Sequence, residues 1–358
     1  MSIAIPLRRN PRRLARRAGL RHVTDEEQGI RRVKKGRGFV YLGVSGRSLR
    51  ELKTLKRIEA LVIPPAWAEV WICRDARGHI QATGRDEKGR KQFLYHAQWQ
   101  EESSRVKYDH LLHFGQALPR IRKQVEADLQ LKPLVREKTL ALAIRLLDLT
   151  GIRVGNREYV QSNGSHGLTT LECRHVKFKG GGAEFSFPGK SGKDHRIEVS
   201  DKRILPALKA TYESDSDALF TYEDEAGVHD IDARELNQYL KEVSRIDATA
   251  KDFRTWLASC HAAAELFERQ EEMSPTKRKR VVAEVVRHVA ERLGNTPAVC
   301  RKSYIDPRLL AAFENDEFPK LFASFRSSRR RWLRHEDQLL LYALERLSSR
   351  NSSSANSS

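Results

Sequence analysis

Cysteine and methionine are scarce, with four and two residues respectively in a chain of 358. Cys73, Cys173, Cys260 and Cys300 lie far apart and form no C-x-x-C pair, so neither a zinc site nor a disulfide framework is indicated and reduced thiols are expected. Long apolar runs are missing too. Nothing approaches the roughly 18 residues that span a bilayer, and the N-terminal stretch has no apolar core of a secretory signal, so no membrane is expected and the cytoplasm is the expected compartment. Acidic residues are absent from the first 22 positions, which hold Arg8, Arg9, Arg12, Arg13, Arg16, Arg17 and Arg21. Residues 1–22 are expected to be a basic disordered tail able to lie along phosphates. An Arg-rich, acid-poor organelle presequence is the lesser reading.

What is present is cation in excess. The formal net charge is +19, the sequence pI is about 9.9, and 32% of residues are charged against 39% hydrophobic. That hydrophobic share supplies real cores and the length allows two domains. Basic residues spread along the whole chain point to a polyanionic partner, most simply nucleic acid.

Residues 23–105 read as a small β-rich module. G-F-V-Y-L (38–42), V-W-I-C (70–73), H-I-Q-A-T-G (79–84) and G-R-K-Q-F-L-Y (89–95) are separated by turn signals at Pro64-Pro65, Arg77-Gly78 and Lys88-Gly89, with a short helical piece through Leu52 and Leu55. The last of these segments interleaves Arg90 and Lys91 with Gln92, Phe93 and Tyr95, which suits phosphate and groove contacts or an ordinary amphipathic edge strand. Residues 106–347 turn mainly helical. Leu111, Leu112, Phe114, Leu118 and Ile121 keep helical spacing, and Leu140, Ile144, Leu147 and Leu149 mark a helix that stops at Gly151. A β interruption runs from Leu171 to Val199 with glycine-rich turns. After Leu208 the chain is expected to be helical, with a Ser-rich disordered tail at 348–358. The expected fold is α+β: a small N-terminal antiparallel sheet domain, then a mainly α domain with an inserted β-hairpin sheet.

Five polar groups stand out. In R-L-G-N-T-P-A-V-C-R-K-S-Y-I-D-P (292–307), Thr296-Pro297 offers an N-cap and first-turn proline for a short helix carrying Tyr304, a phenol beside Arg301 and Lys302 and two turns beyond Asn295. Tyr304 is the candidate nucleophile; the plainer reading is one of nine tyrosines, half-buried with a bonded hydroxyl. In G-I-R-V-G-N-R-E-Y (151–159), Arg153 sits just past a helix stop, with Gly155 allowing close backbone approach. In P-G-K-S-G-K (188–193), Lys190 lies near a hairpin tip. The G-K-S triplet there lacks the spacing of a phosphate-binding loop, which disfavours ATP. In K-D-F-R-T-W (251–256), Asp252 is expected to cap a helix whose first turn carries Arg254, where dipole and guanidinium would both favour a phosphate.

The order of these motifs, together with G-L-T-T-L (167–171) and His175-Val176, closely resembles the type IB DNA topoisomerases, specifically the bacterial relatives of the poxvirus enzyme, over roughly residues 23–347. The resemblance implies the catalytic fold shared with tyrosine recombinases. It implies that Tyr304 attacks a DNA phosphodiester to give a 3'-phosphotyrosyl link and a free 5'-hydroxyl strand, which rotates before religation. Arg153, Arg254 and Asn295 would hold the phosphate oxygens, and Lys190 would protonate the leaving oxygen, directly or relayed through Arg153. No metal and no nucleotide cofactor is implied. The partner would be double-stranded DNA, clamped by a monomer, and the setting the bacterial cytoplasm and its nucleoid.

Departures limit what carries over. The poxvirus enzyme has histidine where this chain has Asn295, which cannot titrate, and lysine where Asn156 stands, a DNA-contacting position. It has tyrosines where Phe93 and Tyr159 align, so its sequence preference does not transfer. Gln92, Phe93, Tyr95, Asn156 and Tyr159 are the DNA-contact candidates. Two alternatives remain: a site-specific tyrosine recombinase, which commonly has histidine at the position of Lys251 and a helical N-terminal module, and an architectural protein that only binds phosphates. His175, His195 and His261 read as structural groups or phosphate contacts.

Overall fold

The computed structural model describes residues 10–355 except 133 and 215. The chain divides into two compact units, Met1–Asp109 and His110–Ser358. Residues 1–9, part of the stretch read as a disordered tail, lie outside the described residues, as do 356–358.

In the first unit, the arginine-rich segment is partly ordered, contrary to the expectation for 10–22. Helix α1 (Pro11–Arg17) is capped by Asn10, which accepts from the Arg13 amide at 2.9 Å, and buries Leu14 and Ala15. Its Arg17 pairs with Glu102 at 2.7 Å. The arginines line one side of a helix whose other side has an apolar seat, which a count of charges alone does not reveal. A five-stranded antiparallel sheet follows, in the order β2-β1-β3-β4-β5: β1 (Ile30–Lys35), β2 (Gly38–Leu42), then helix α2 (Leu52–Ala60), β3 (Ala68–Ile72), β4 (Ile80–Arg85) and β5 (Lys91–Tyr95). Ile30, Ile58, Val70, Ile72 and Ala82 form its buried core. The sequence reading missed β1, I-R-R-V-K-K, because four of its six residues are cations and only Ile30 is buried. Its Arg32 earns a place by donating to the carbonyls of Ile63, Pro64 and Trp67 at 3.1, 2.9 and 2.7 Å, which fixes the turn around Pro64-Pro65.

Helix α3 (Ala97–Asp128) contains the division between the units. The second unit continues with α4 (Arg136–Thr150), α5 (Arg157–Asn163), a three-stranded antiparallel sheet β6 (Val176–Lys179), β7 (Gly182–Pro188) and β8 (Asp194–Val199), and α6 (Leu205–Tyr212). A second departure comes next: Thr221–Asp224 (β9) and Gly227–Asp230 (β10) form a hairpin in a stretch read as helical. T-Y-E-D-E-A-G-V-H-D is too polar to show alternation; its signal is the turn at Glu225-Ala226 followed by Gly227. Then come α7 (Ala233–Ser244), α8 (Ala250–Glu268), α9 (Pro275–Arg292), α10 (Pro297–Ser303), α11 (Pro307–Glu314), α12 (Phe318–Phe322) and α13 (His335–Ala355). Helix α13 runs through most of the serine-rich stretch read as a tail beginning at 348.

Helix α8 is the central element, packed against α4, α9, α11 and α13. Its Trp256 is fully buried, edge-on to Phe114 at 6.0 Å, and a Cβ on Gly115 would come within 2.2 Å of its ring, so α3 has a glycine where the indole must fit. Beneath this lies a buried ionic network. Arg122 donates to Asp148 at 3.0 and 2.8 Å and to Asp337 at 2.5 Å, while Asp337 also accepts from Trp256 Nε1 at 2.7 Å. Arg334 reaches Asp148 at 2.8 Å. Burial alone would raise the Asp148 carboxyl, but the guanidiniums of Arg122, Arg334 and Arg145 outweigh it and bring it down to about 2. A carboxyl depressed on folding gives stability that is complete above its ordinary value of 3.8 and is lost as pH falls through about 2. Asp148→Asn is therefore expected to destabilise the second unit by about 3–5 kcal/mol at pH 7, because the guanidiniums lose their counter-charge. It should also flatten the loss of stability between the two pH values. Denaturant titrations of both proteins from pH 7 downward measure the two effects.

Candidate active site

All five polar groups singled out in the sequence belong to the second unit, and the structure brings four of them into direct contact. Helix α4 ends at Gly151, whose φ of +61° lets its amide bond back to the Leu147 carbonyl at 2.9 Å. The chain then runs extended through Arg153. Its course is fixed by G-L-T-T: the amides of Leu168 and Thr169 donate to the carbonyls of Arg153 and Val154 at 2.8 and 2.7 Å. The crossing is close, since a Cβ on Gly167 would come within 2.5 Å of the Gly155 amide nitrogen, while Gly155 itself has φ of +95°. Both glycines are thus needed for the approach that holds Arg153.

Arg153 donates from Nη2 to Asn295 Oδ1 at 2.5 Å. Asn295 is held through its own amide, which donates to the Ala290 carbonyl at 2.8 Å beyond the end of α9. With its oxygen engaged by Arg153, Asn295 Nδ2 is buried and has no partner among the described residues. A buried donor left unpaired costs about 1–3 kcal/mol, so its persistence suits a site whose acceptor arrives with the substrate.

Arg254 departs from expectation in its setting. Thr249, not Asp252, is the N-cap of α8; Asp252 stands at the third position and accepts from the Thr249 amide and hydroxyl, each at 2.8 Å. Arg254 is consequently one turn further in, and 5% exposed, away from the helix amides. Its two terminal nitrogens donate to the carbonyls of Gly151 and Leu293 at the ends of α4 and α9. Two negative helix ends hold one guanidinium, which is favourable by the helix dipole and satisfies carbonyls that have no partner within their own helices. The guanidinium carbon lies 5.2 Å from the centre of the Tyr304 ring. Burial, with Arg153 nearby, lowers Arg254 to about 10 against the opposing pull of Tyr304, which leaves it a cation at neutral pH. Arg153 is lowered as well by burial, again opposed by Tyr304. Arg254 Nε is a second buried donor without a partner among the described residues.

Tyr304 caps the C-terminus of α10 instead of lying within it; Thr296 and Pro297 start that helix as the sequence suggests. The backbone around the tyrosine is held by a residue the sequence reading passed over. Ser259, fully buried on α8, donates to the Tyr304 carbonyl at 3.2 Å and accepts from the Asp306 amide at 3.0 Å. Thus one helix carries both Arg254 and the hydroxyl that fixes the tyrosine. A lone serine in an apolar helix gives no local signal of this.

Lys190 is the fifth group. It is exposed at the β7–β8 tip, where Gly189 and Lys193 close the turn by an amide-to-carbonyl bond of 2.8 Å. It lines a cavity of about 190 Å³ together with Arg153, Arg254, His195 and the Leu293-Gly294 turn. A larger cavity of about 440 Å³ is lined by Arg122, Arg145 and Arg334 of the ionic network and by Arg203, and lies among none of these groups. Among the described residues no cluster of three His, Cys, Asp or Glu could hold a metal, and no helix is long and apolar enough to cross a membrane.

The DNA-contact candidates fall in both units. On β5, Phe93 and Tyr95 point outward with rings stacked at 5.8 Å, and Lys91 lies 5.6 Å over Phe93. Gln92 faces the opposite way by strand alternation, its amide donating to Asp86 at 2.9 Å, so it does not share their surface. In the second unit, Asn156 caps α5 by accepting from the Glu158 amide at 3.0 Å, and Tyr159 is 55% exposed on that helix.

The catalytic core of eukaryotic DNA topoisomerase I, as a family model, matches residues 96–315, and the N-terminal domain of bacterial DNA topoisomerase IB matches 38–86. DNA topoisomerase 1B of Acanthamoeba polyphaga mimivirus is 30% identical over 303 residues, covering 82% of this chain and 90% of the viral protein. DNA topoisomerase 1B of Vaccinia virus (strain Copenhagen) is 22% identical over 256 residues, covering 70% and 77%. Among solved structures, a XerH site-specific recombinase bound to its palindromic difH substrate in a post-cleavage complex is similar at a TM-score of 0.36 and 14% identity, over 58% of this chain and about half, 51%, of that one. The two family models fall on successive parts of the chain, and the catalytic-core match alone takes in more than half of its length: the protein belongs to the type IB DNA topoisomerase family.

Proposed function

We propose that this enzyme relaxes supercoiled duplex DNA through a covalent bond between Tyr304 and one broken strand. The Tyr304 oxygen attacks a backbone phosphorus, the bond from phosphorus to the 5'-oxygen breaks, and a 3'-phosphotyrosyl ester holds the strand while the 5'-hydroxyl end rotates; reversal reseals it. The phenol proton leaves to water or a neighbour. The 5'-oxygen, a poor leaving group as an alkoxide, takes a proton from Lys190. One phosphoester replaces another, so bond energy is conserved and the chemistry calls for no nucleotide.

The observation that carries this reading is the meeting of Arg153, Arg254 and Asn295 around Tyr304, with two buried donors unpartnered. In-line attack builds charge on the nonbridging oxygens, and preorganised donors aimed at that charge are a principal source of rate enhancement. Asn295 Nδ2 supplies a neutral donor whose orientation is set by Arg153. Phe93, Tyr95, Asn156 and Tyr159 offer stacking and polar contacts to the duplex, which the enzyme would clamp as a monomer on nucleoid DNA in the cytoplasm.

Supercoiled plasmid incubated with EDTA and without ATP should give a ladder of progressively relaxed topoisomers. Binding without relaxation would favour an architectural protein, and strand exchange between two DNAs a recombinase. Lys190→Ala should slow cleavage of an ordinary phosphodiester by about 10²–10⁴-fold, the usual contribution of a general acid. Replacing the 5'-bridging oxygen with sulfur, which leaves without protonation, should restore most of that loss in single-turnover cleavage; an unrescued variant would remove the proton-donor role from Lys190.

A further inference from the structure

His195 takes no part in the chemistry above, yet it stands where the hairpin meets the phosphate-binding turn. It is the second residue of β8, paired with Phe187 of β7, and its ring stacks on Phe187 at 5.4 Å with an interplanar angle of 17°. One edge faces Gly189: a Cβ there would lie 2.2 Å from His195 Cδ2 and 2.6 Å from Nε2, and the three nearest atoms are all in this ring. The other edge faces Gly294, where a Cβ would lie 2.3 Å from Cε1. Gly189 directly precedes Lys190, and Gly294 directly precedes Asn295. The imidazole thus fills the gap between the backbones that present the proposed proton donor and the proposed phosphate donor.

Each glycine serves a distinct purpose. Gly294 has φ of +59°, a left-handed conformation that favours glycine whether or not a ring is nearby. Gly189 has φ of −101°, which any residue can adopt, so it is the nearby ring, not the backbone, that accounts for its lack of a side chain. With the ring wedged between the two backbones, the tip is held to the turn at the end of α9.

We propose that His195 is a positioning residue that holds the Lys190 turn against the Gly294-Asn295 turn, so that the ammonium meets the leaving 5'-oxygen of the phosphate that Asn295 binds. This rests on the proton-donor role given to Lys190. The cations Arg153, Arg254 and Lys193 act on the ring against the anion Asp194, and burial acts with the cations to favour the neutral imidazole. A neutral ring fits a wedge that must sit among cations without adding charge.

The test uses the whole chain and single-turnover cleavage of a duplex with either an ordinary 5'-bridging oxygen or sulfur, with duplex binding measured alongside. His195→Ala should slow cleavage of the oxygen substrate by about 10- to 100-fold, the scale of a group displaced by about 1 Å. It should leave the sulfur substrate within a few-fold of wild type. Gly189→Ala, whose Cβ must expel the ring, should show the same pattern, and in the His195→Ala background it should add little, since the obstructing atoms are gone. Equal losses on both substrates, or full additivity of the two substitutions, would overturn the proposal. Lys190→Ala on the same two substrates keeps the premise separate: if that variant is not rescued by sulfur, the proton-donor role fails, whereas rescue of Lys190→Ala without rescue of His195→Ala rejects the wedge alone.

Discussion

Tyr304→Phe is expected to bind duplex DNA within a few-fold of wild type and to form no covalent adduct, with relaxation reduced by at least ~10⁴-fold, as for loss of other nucleophiles in units that act together. The fold should survive because the substitution removes one oxygen and little packing. The ring still lies under Arg254 at the observed 5.2 Å, and the backbone is still held by Ser259 through the Tyr304 carbonyl and the Asp306 amide. What is lost is the oxygen proposed to bond to phosphorus. The check is to trap wild type and variant on nicked or supercoiled DNA with denaturant, digest, and identify the nucleotide-bearing peptide by mass spectrometry. Wild type should give the peptide around Tyr304, and the variant none. A denaturation-resistant complex that persists in the variant would move the nucleophile elsewhere.

How much of this was legible before the structure depended on whether a residue's role is local. The start of α10 could be read because Thr296 and Pro297 act on their own helix, and Gly151 could be read as a stop because its left-handed conformation is a local need. The motif order carried the five polar groups. Strand β1 could not be read, since its burial comes from sheet neighbours while its own composition is four cations. The orientation of Gln92 was missed because the outward face of β5 is set by which side packs on the core, not by the polarity of the segment. Arg254 was placed beside helix amides on the strength of an acidic residue two positions earlier. The true cap lies three residues before Asp252, and the one-turn shift takes the guanidinium from amides to carbonyls. Ser259 had no signal at all, and His195 could be read only as a structural group or phosphate contact, because the backbone each one meets is brought near by the fold.

Arg254→Ala is expected to have the second largest effect, and on two measurements at once. As a donor to the nonbridging oxygens, one such group is worth about 10²–10³-fold, and loss of a buried charge that can offer two bonds should exceed that, at about 10³–10⁵-fold in single-turnover cleavage. The same guanidinium satisfies the Gly151 and Leu293 carbonyls and closes the ends of α4 and α9. Leaving both without a partner costs about 1–3 kcal/mol each, so the melting temperature should fall as well. Arg254→Lys separates these roles. A single ammonium keeps the charge but cannot span two carbonyls and a phosphate with the planar fork of arginine, so about half of the stability should return while cleavage stays at least ~10²-fold slow. The contrast matters more than either value. If lysine restored both stability and rate, the fork geometry would be irrelevant and the guanidinium would act only as a point charge; if it restored neither, the carbonyl ends of the two helices would have to be the whole of what Arg254 does.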